Sequence, residues 1–223
     1  FLGHAGQISR SISRATHALC ELEEVALGGT AVGTGVNTHP EFANKVCEKL
    51  SEATGLNIRE TSNHFQAQST LDNIVEASGC LKTIDVSLMK IANDVRWMGS
   101  GPRGGFGEIE LPEVQPGSSI MPGKVNPVIP ESVCQVAAQV IGNDTTVEYA
   151  GQSGFFEIIV MMQVEALKLI QTIDLLYVSK SQLRASCING LKATSKGPEM
   201  VDRGLAIVTT LVPYIGYDAA AEI

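Results

Sequence analysis

Three observations predict an all-α fold: a hydrophobic heptad sustained over almost four repeats, several further segments of helical period, and no sustained period-two alternation. The heptad places Ile74, Leu81, Leu88 and Val95 on one seam, with Ala77, Ile84, Ile91 and Met98 interleaved. A helix from Phe65 to Met98 would span roughly 50 Å at 1.5 Å per residue. Such a helix is too long for a small globule and too apolar to stand in water. It is expected to lie in a bundle of long helices, with other subunits as neighbours.

The remaining helices follow in chain order. Ile8 to Ala26 is amphipathic. Thr38-His39-Pro40-Glu41 has the form of a capping box, with Thr38 as cap, Pro40 in the first turn and Glu41 reaching back; the helix it opens should run to about Thr54. Glu131 to Gly142 and Phe155 to Val178 give two more helical patterns. Pro198 to Val212 gives another, stopped by Pro213. The most apolar stretch, Phe155 to Met162, contains Glu157 and is followed by Gln163, Glu165 and Lys168. A membrane span needs about 20 apolar residues, so this stretch reads as a buried core helix.

Composition narrows the function classes. The chain has 223 residues, 44% hydrophobic, with 16 Lys+Arg against 24 Asp+Glu for a formal charge of −8. Disorder is excluded by the apolar content. The acidic balance, without a Lys/Arg cluster, argues against nucleic acid and anionic membranes as partners. The cysteines at 20, 47, 80, 134 and 187 are far apart and form no C-x-x-C pair, so free thiols in a reducing compartment are expected. The first residue is Phe1, and the last, Ile223, follows the run Ala219-Ala220-Ala221-Glu222 without a capping signal. A fragment of a longer polypeptide is expected.

Two segments interrupt the helical pattern. Gly28 to Gly35 carries four glycines in eight residues; it lacks the lysine of a P-loop and a preceding strand, so close backbone turning is favoured over phosphate binding. Ser100 to Asn126 is long for a connection inside a compact domain, and loops of that length are commonly functional. Within it lies Pro116-Gly117-Ser118-Ser119-Ile120-Met121-Pro122-Gly123-Lys124-Val125-Asn126-Pro127. Glycine lets such a loop close tightly and proline restricts its shapes. Lys124 supplies charge and Asn126 a directional donor, a pair suited to a carboxylate whose negative charge grows during reaction. A serine beside a cation could act as a base if its alkoxide were stabilised. On these features alone a generic loop and an active site are both open.

The run Gly117-Ser118-Ser119-Ile120-Met121-Pro122-Gly123-Lys124-Val125-Asn126 resembles the Gly-Ser-Ser-x-Met-Pro-x-Lys-x-Asn signature of the fumarase/aspartase superfamily at every fixed position. Gly28 to Asn37, Met89 to Trp97, Ser100-Gly101-Pro102-Arg103 and Ile215-Gly216-Tyr217-Asp218 are similar to the class II fumarase pattern, so the resemblance covers nearly the whole chain. It implies a central helical-bundle domain over 1–195, the start of a small C-terminal helical domain over 196–223, a homotetramer, and no cofactor or metal. It also implies a tricarboxylic acid cycle lyase that hydrates fumarate reversibly to L-malate. Carried over residue by residue, Ser118 is the base that removes a proton beside a carboxylate. Ser119, Lys124, Val125 and Asn126 bind the dicarboxylate substrate. Glu131 matches a position that tunes the general acid of a neighbouring subunit, and it equally suits the first turn of a helix, where the dipole favours a glutamate.

The departures from the pattern limit this carry-over. The Thr-His-x-Gln-Asp motif that bears the family's general-acid histidine is absent, and Thr38-His39 does not replace it, being followed by Pro40-Glu41. His39 reads as a helix-terminus residue; His4, His17 and His64 belong to no constellation. After Gly154 the usual Asn-Phe-Glu-Leu-Asn-Val-x-x-Pro appears as Phe155 to Gln163, with two amides replaced by apolar residues and a proline lost. Trp97, Phe156-Glu157 and Tyr217 to Ala220 favour fumarase, with aspartate ammonia-lyase as the alternative. Lyases for argininosuccinate and adenylosuccinate share the loop but fit poorly outside it. A reading of another class is an inactive structural scaffold, because the family builds each active site from three subunits and one loop cannot complete it.

Overall fold

The heptad becomes a helix, α4, spanning Asp72–Met98, in a computed structural model that describes residues 1–223. Ala77, Leu88, Ile91 and Val95 are buried and Ile74 and Leu81 half-buried, as the seven-residue period requires. The helix is nevertheless shorter than expected. Phe65 to Met98 forms two helices, α3 (His64–Ser69) and α4, parted by Thr70 in an extended conformation with φ −132° and ψ 159°. The cause is competition for helical carbonyls. Ser69 Oγ and Thr70 Oγ1 both donate to the Gln66 carbonyl, at 3.1 and 3.3 Å, while Gln66 Nε2 donates to Thr70 Oγ1 at 2.9 Å. The 27 residues of α4 make a rod of about 40 Å.

The other boundaries also move. α1 (Leu2–Leu22) begins earlier than Ile8 and stops before Ala26, where Glu24–Val25 (β1) pairs in parallel with Arg59–Glu60 (β2). α2 (Phe42–Thr54) ends where expected, at Gly55, whose φ of 73° supplies the left-handed turn as its N–H donates to Ser51 O. The expected capping box does not form. Glu41, not Thr38, holds the cap position, and its carboxylate reaches forward to Lys45 Nζ at 3.0 Å instead of back. α5 (Val128–Gly151) extends beyond Glu131 to Gly142 at both ends. α6 (Met162–Ser186) starts late, and Phe155 to Met162 is not the buried core helix expected. Phe155 N and Ile158 N each bond the other residue's carbonyl, Phe156 adopts φ 53°, and Phe155 and Phe156 are 72% and 92% exposed. A closed turn with a left-handed residue cannot carry a helix, so the helical period begins only past it.

The C-terminal segment contains α7 (Lys196–Asp202), a 3-10 turn over Leu205–Leu211, α8 (Val212–Ile215) and α9 (Tyr217–Ala221). Arg203 and Gly204 interrupt the helix expected from Pro198 to Val212. Pro213 sits in the first turn of α8, where its missing N–H is harmless, rather than ending a helix. Ile109–Glu110 (β3) pairs antiparallel with Lys192–Ala193 (β4), Ile109 opposite Ala193. The four strands are two residues each, so the fold is all-α as expected. No helix is long and apolar enough to cross a membrane, and no two of the five cysteines are joined in a disulfide.

The chain divides into two units, residues 1–91 with 133–180, and residues 92–132 with 181–223. In the first, Ala18 of α1, Ala77 of α4 and Leu169 of α6 share one apolar cluster. Polar contacts fix the register of the helices there. Asp144 of α5 accepts from Ser78 Oγ at 2.8 Å and pairs with the Lys82 ammonium, and Asn143 Nδ2 donates to Thr172 Oγ1 of α6 at 3.2 Å. The glycine-rich loop packs on α3 in the same unit. Gly33, at φ 93°, lies so close that a Cβ would sit 2.9 Å from Phe65 N, and Gln68 Nε2 holds the Thr30 carbonyl at 2.8 Å. Close approach and positive φ therefore account for these glycines.

Two carboxyl groups of this unit, Asp85 and Glu165, are fully buried without a hydrogen-bond partner. Burial pushes Glu165 up to about 7 and Asp85 up to about 6. Their unfolded values lie near 4.3 and 3.9. The folded protein therefore holds protons that the unfolded chain has released, and its stability falls as pH rises from about 4 to about 7. For Glu165 the loss is roughly 4 kcal/mol. Glu165→Gln is expected to raise the urea midpoint at about pH 8 and flatten its decline between about pH 5 and 8. An unchanged decline would show that Glu165 does not set it.

Candidate active site

In the second unit, residues 99 to 127 form the long connection between α4 and α5, interrupted only by β3. The segment that carries the candidate chemistry closes on itself. Gly117 lies against the far side of the loop, where a Cβ would stand 1.7 Å from Lys124 O and 3.1 Å from Val125 Cα. Asn126 Nδ2 donates to the Gly117 carbonyl at 2.8 Å and completes the closure. Between these ends Gly123 turns at φ 77° and Lys124 N donates to Met121 O at 3.2 Å. Glycine is required at 117 by space and at 123 by conformation.

Ser118 faces the backbone of its own turn. Its Oγ accepts from two backbone donors of its own loop, Ile120 N at 3.1 Å and Met121 N at 3.2 Å. Converging amides of this kind form a concavity that favours negative charge, so they lower the free energy of an alkoxide more than that of the neutral hydroxyl. Ser119 is exposed. Glu131 lies in the first turn of α5, its N–H donating to Pro127 O at 3.0 Å, a position where the helix dipole favours a carboxylate.

Lys124, Val125 and Asn126 line a cavity of about 1230 Å3 in this unit. Its other walls come from the end of α4 (Asn93, Arg96, Trp97), from Ser100 to Pro102 with Gly107, from Ile109 to Glu113, and from Thr194 to Lys196. Three cationic side chains therefore border one space, with Glu110 and Glu113 as the acidic residues among its walls. Ser118, Ser119 and Glu131 are not among its lining residues; they flank the loop that supplies Lys124. Asn126 uses one N–H to close the loop, which leaves its carbonyl oxygen and second N–H for a ligand. Arg96 and Lys196 were not identified from sequence. Arg96 lies in a segment that the family pattern includes, whereas nothing local to Lys196 marks it, since its place at the cavity depends on the pairing of β3 with β4.

A second cavity, of about 570 Å3 in the first unit, is walled by Glu48, Glu52, Glu60 and Arg59 and contains none of the sequence-derived candidates. The histidines are engaged locally. His39 Nδ1 accepts from Glu41 N at 3.2 Å just before α2, His17 Nε2 meets Glu76 Oε1 at 2.8 Å, and His64 Nε2 lies 2.8 Å from Leu27 O.

A bundle of long helices with a self-closed, cation-bearing loop between two of them defines an all-α helical protein. The chain belongs to the lyase family: the Lyase_1 model, described as Lyase, matches residues 1–142. It is 48% identical over 225 residues to a class II fumarate hydratase of Mycobacterium tuberculosis (strain CDC 1551 / Oshkosh), covering 100% of this chain and 48% of that protein. It is 45% identical over 224 residues to the mitochondrial fumarate hydratase of Saccharomyces cerevisiae, covering 100% of this chain and 46% of that one. Among solved structures, a class II fumarase from Schistosoma mansoni superposes with a TM-score of 0.95 at 35% identity, covering 99% of this chain and 49% of the other. The resemblance read from the loop and the flanking motifs is thus borne out. The chain spans about half the length of the relatives it matches.

Proposed function

We propose that this chain carries the base and the carboxylate-binding loop of a fumarate hydratase, which interconverts L-malate and fumarate plus water. The observation that carries the reading is the pair of backbone N–H groups on Ser118 Oγ inside a loop that also bears Lys124. In the malate direction the Ser118 alkoxide takes the proton from the carbon beside a carboxylate. The electron pair moves into that carboxylate, and Lys124 with Asn126 stabilises its second negative charge more strongly than the ground state. The hydroxyl group then leaves as water, protonated by an acid outside the residues of this chain. Ser119 and Val125 complete the dicarboxylate contacts, and Glu131 tunes the acid supplied by a neighbouring subunit of a homotetramer. Cysteines without disulfides suit a cytoplasmic enzyme, or a mitochondrial one like the yeast relative.

The test supplies the full-length protein separately with malate and with aspartate and follows fumarate by ultraviolet absorbance. Fumarate from malate alone is expected. Fumarate from aspartate alone would make the protein an ammonia-lyase, and fumarate from neither would leave the scaffold reading.

A further inference from the structure

We propose that Lys196 is a positioning residue of the cavity that contains Lys124 and Asn126, acting as a latch on the Ser100–Gly107 loop that forms another of its walls. The inference rests on the fumarate hydratase reading.

That loop is held tightly at its base but leaves its tip without a local anchor. Ser100 Oγ donates to Trp97 O at 2.6 Å and accepts from Phe106 N at 3.1 Å, and Gly107 N donates to Ser100 O at 2.6 Å. Gly105 is packed so closely that a Cβ would fall 2.4 Å from Ser100 C. These bonds join the loop's two ends and do not reach Pro102. The bond that reaches it comes from far along the chain: Lys196 Nζ donates to the Pro102 carbonyl at 2.5 Å.

Lys196 reaches that carbonyl by lying across Gly107. A Cβ at Gly107 would stand 3.0 Å from Lys196 Nζ and 3.2 Å from its Cδ, so glycine there leaves the path of the lysine stem open, besides permitting φ 57°. Thr194 secures the same crossing, its Oγ1 donating to Gly107 O at 2.6 Å and accepting from Lys196 N at 3.2 Å, next to the β3–β4 pair. The geometry is costly for a lysine in another respect. Lys196 is the first residue of α7, where the helix dipole disfavours a cation, and its stem is half-buried. A carbonyl acceptor compensates that placement.

The consequence for the reaction follows from geometry. Lys124 stabilises developing charge only if the substrate is held at the right distance, and a wall that shifts by about 1 Å can cost about 100-fold in rate. Loss of the latch should therefore act on turnover more than on ground-state binding. Arginine has the reach and the donors to restore the bond, whereas methionine keeps the stem and removes the donor.

The experiment compares the full-length wild type with Lys196→Met, Lys196→Arg and Thr194→Val, measuring kcat and KM for malate together with melting temperature. Lys196→Met is expected to lower kcat about tenfold or more with KM within about twofold. Lys196→Arg should recover most of kcat, and Thr194→Val should lower kcat in the same sense by a smaller factor. A kcat within twofold of wild type in Lys196→Met overturns the proposal. So does a loss that arginine does not rescue, or one that rises in KM alone. Should Lys196→Met fail to fold, Thr194→Val with unchanged kcat is sufficient to refute the latch. A wild type inactive on malate would instead refute the fumarate hydratase reading on which it rests.

Discussion

Replacing Ser118 by alanine is expected to lower the turnover of malate by about 10²–10⁴-fold, the range that removal of a positioned general base produces. The effect should fall on kcat and kcat/KM together, since the group acts in the transition state. Stability should barely change. Ser118 Oγ makes only the two contacts with Ile120 N and Met121 N, in a loop where those neighbours are exposed and can turn to water. Loss of such bonds costs about 1 kcal/mol. Turnover measured beside a thermal melt separates the outcomes, and near-normal kcat in a folded protein would remove Ser118 from the mechanism.

A second large effect is expected at Gly117, which contributes no functional group. Its Cβ position is occupied by the Lys124 carbonyl at 1.7 Å, and that atom is backbone, so no rotamer change relieves the clash. Gly117→Ala must open the loop. Opening breaks the Asn126 bond to the Gly117 carbonyl and displaces Lys124 together with Ser118. Activity is expected to fall about 100-fold or more, while far-ultraviolet circular dichroism stays unchanged because no helix depends on the loop. Full activity in Gly117→Ala would mean that the closed loop is not the working conformation. The neighbouring glycine, Gly123, has open space around its Cβ position, so only its φ of 77° constrains it.

The helical class and the seam of α4 were legible because period alone determines them: Ala77, Leu88 and Val95 face inward whatever the helix packs against. The candidate loop was legible because its chemistry lies within one short stretch, Gly117 to Asn126. What failed did so where side-chain hydrogen bonds or turns outweighed period. Ser69 and Thr70 end α3 by bonding the Gln66 carbonyl, and a helical pattern with the same apolar spacing gives no sign of it. Phe155 to Met162 was read as a buried helix from apolar content, yet Phe156 is 92% exposed. Hydrophobicity of a segment does not state which surface covers it. Lys196 was invisible for another reason, since it meets Pro102 across 94 positions of chain.

The two amides that face Ser118 have a consequence for how this site can be interrogated. The side chains of Ile120 and Met121 are 87% and 51% exposed and take no part in the contact; the donors are peptide groups. A complete alanine scan of the loop would therefore leave both donors in place, whatever it recorded for the two side chains. Any residue but proline at 120 or 121 supplies the same N–H, so the donors themselves place no demand on which side chain stands there. This part of the site's electrostatics, unlike the Lys124 ammonium, lies in the path of the main chain, where only a change of backbone chemistry, such as an ester in place of an amide, would reveal it.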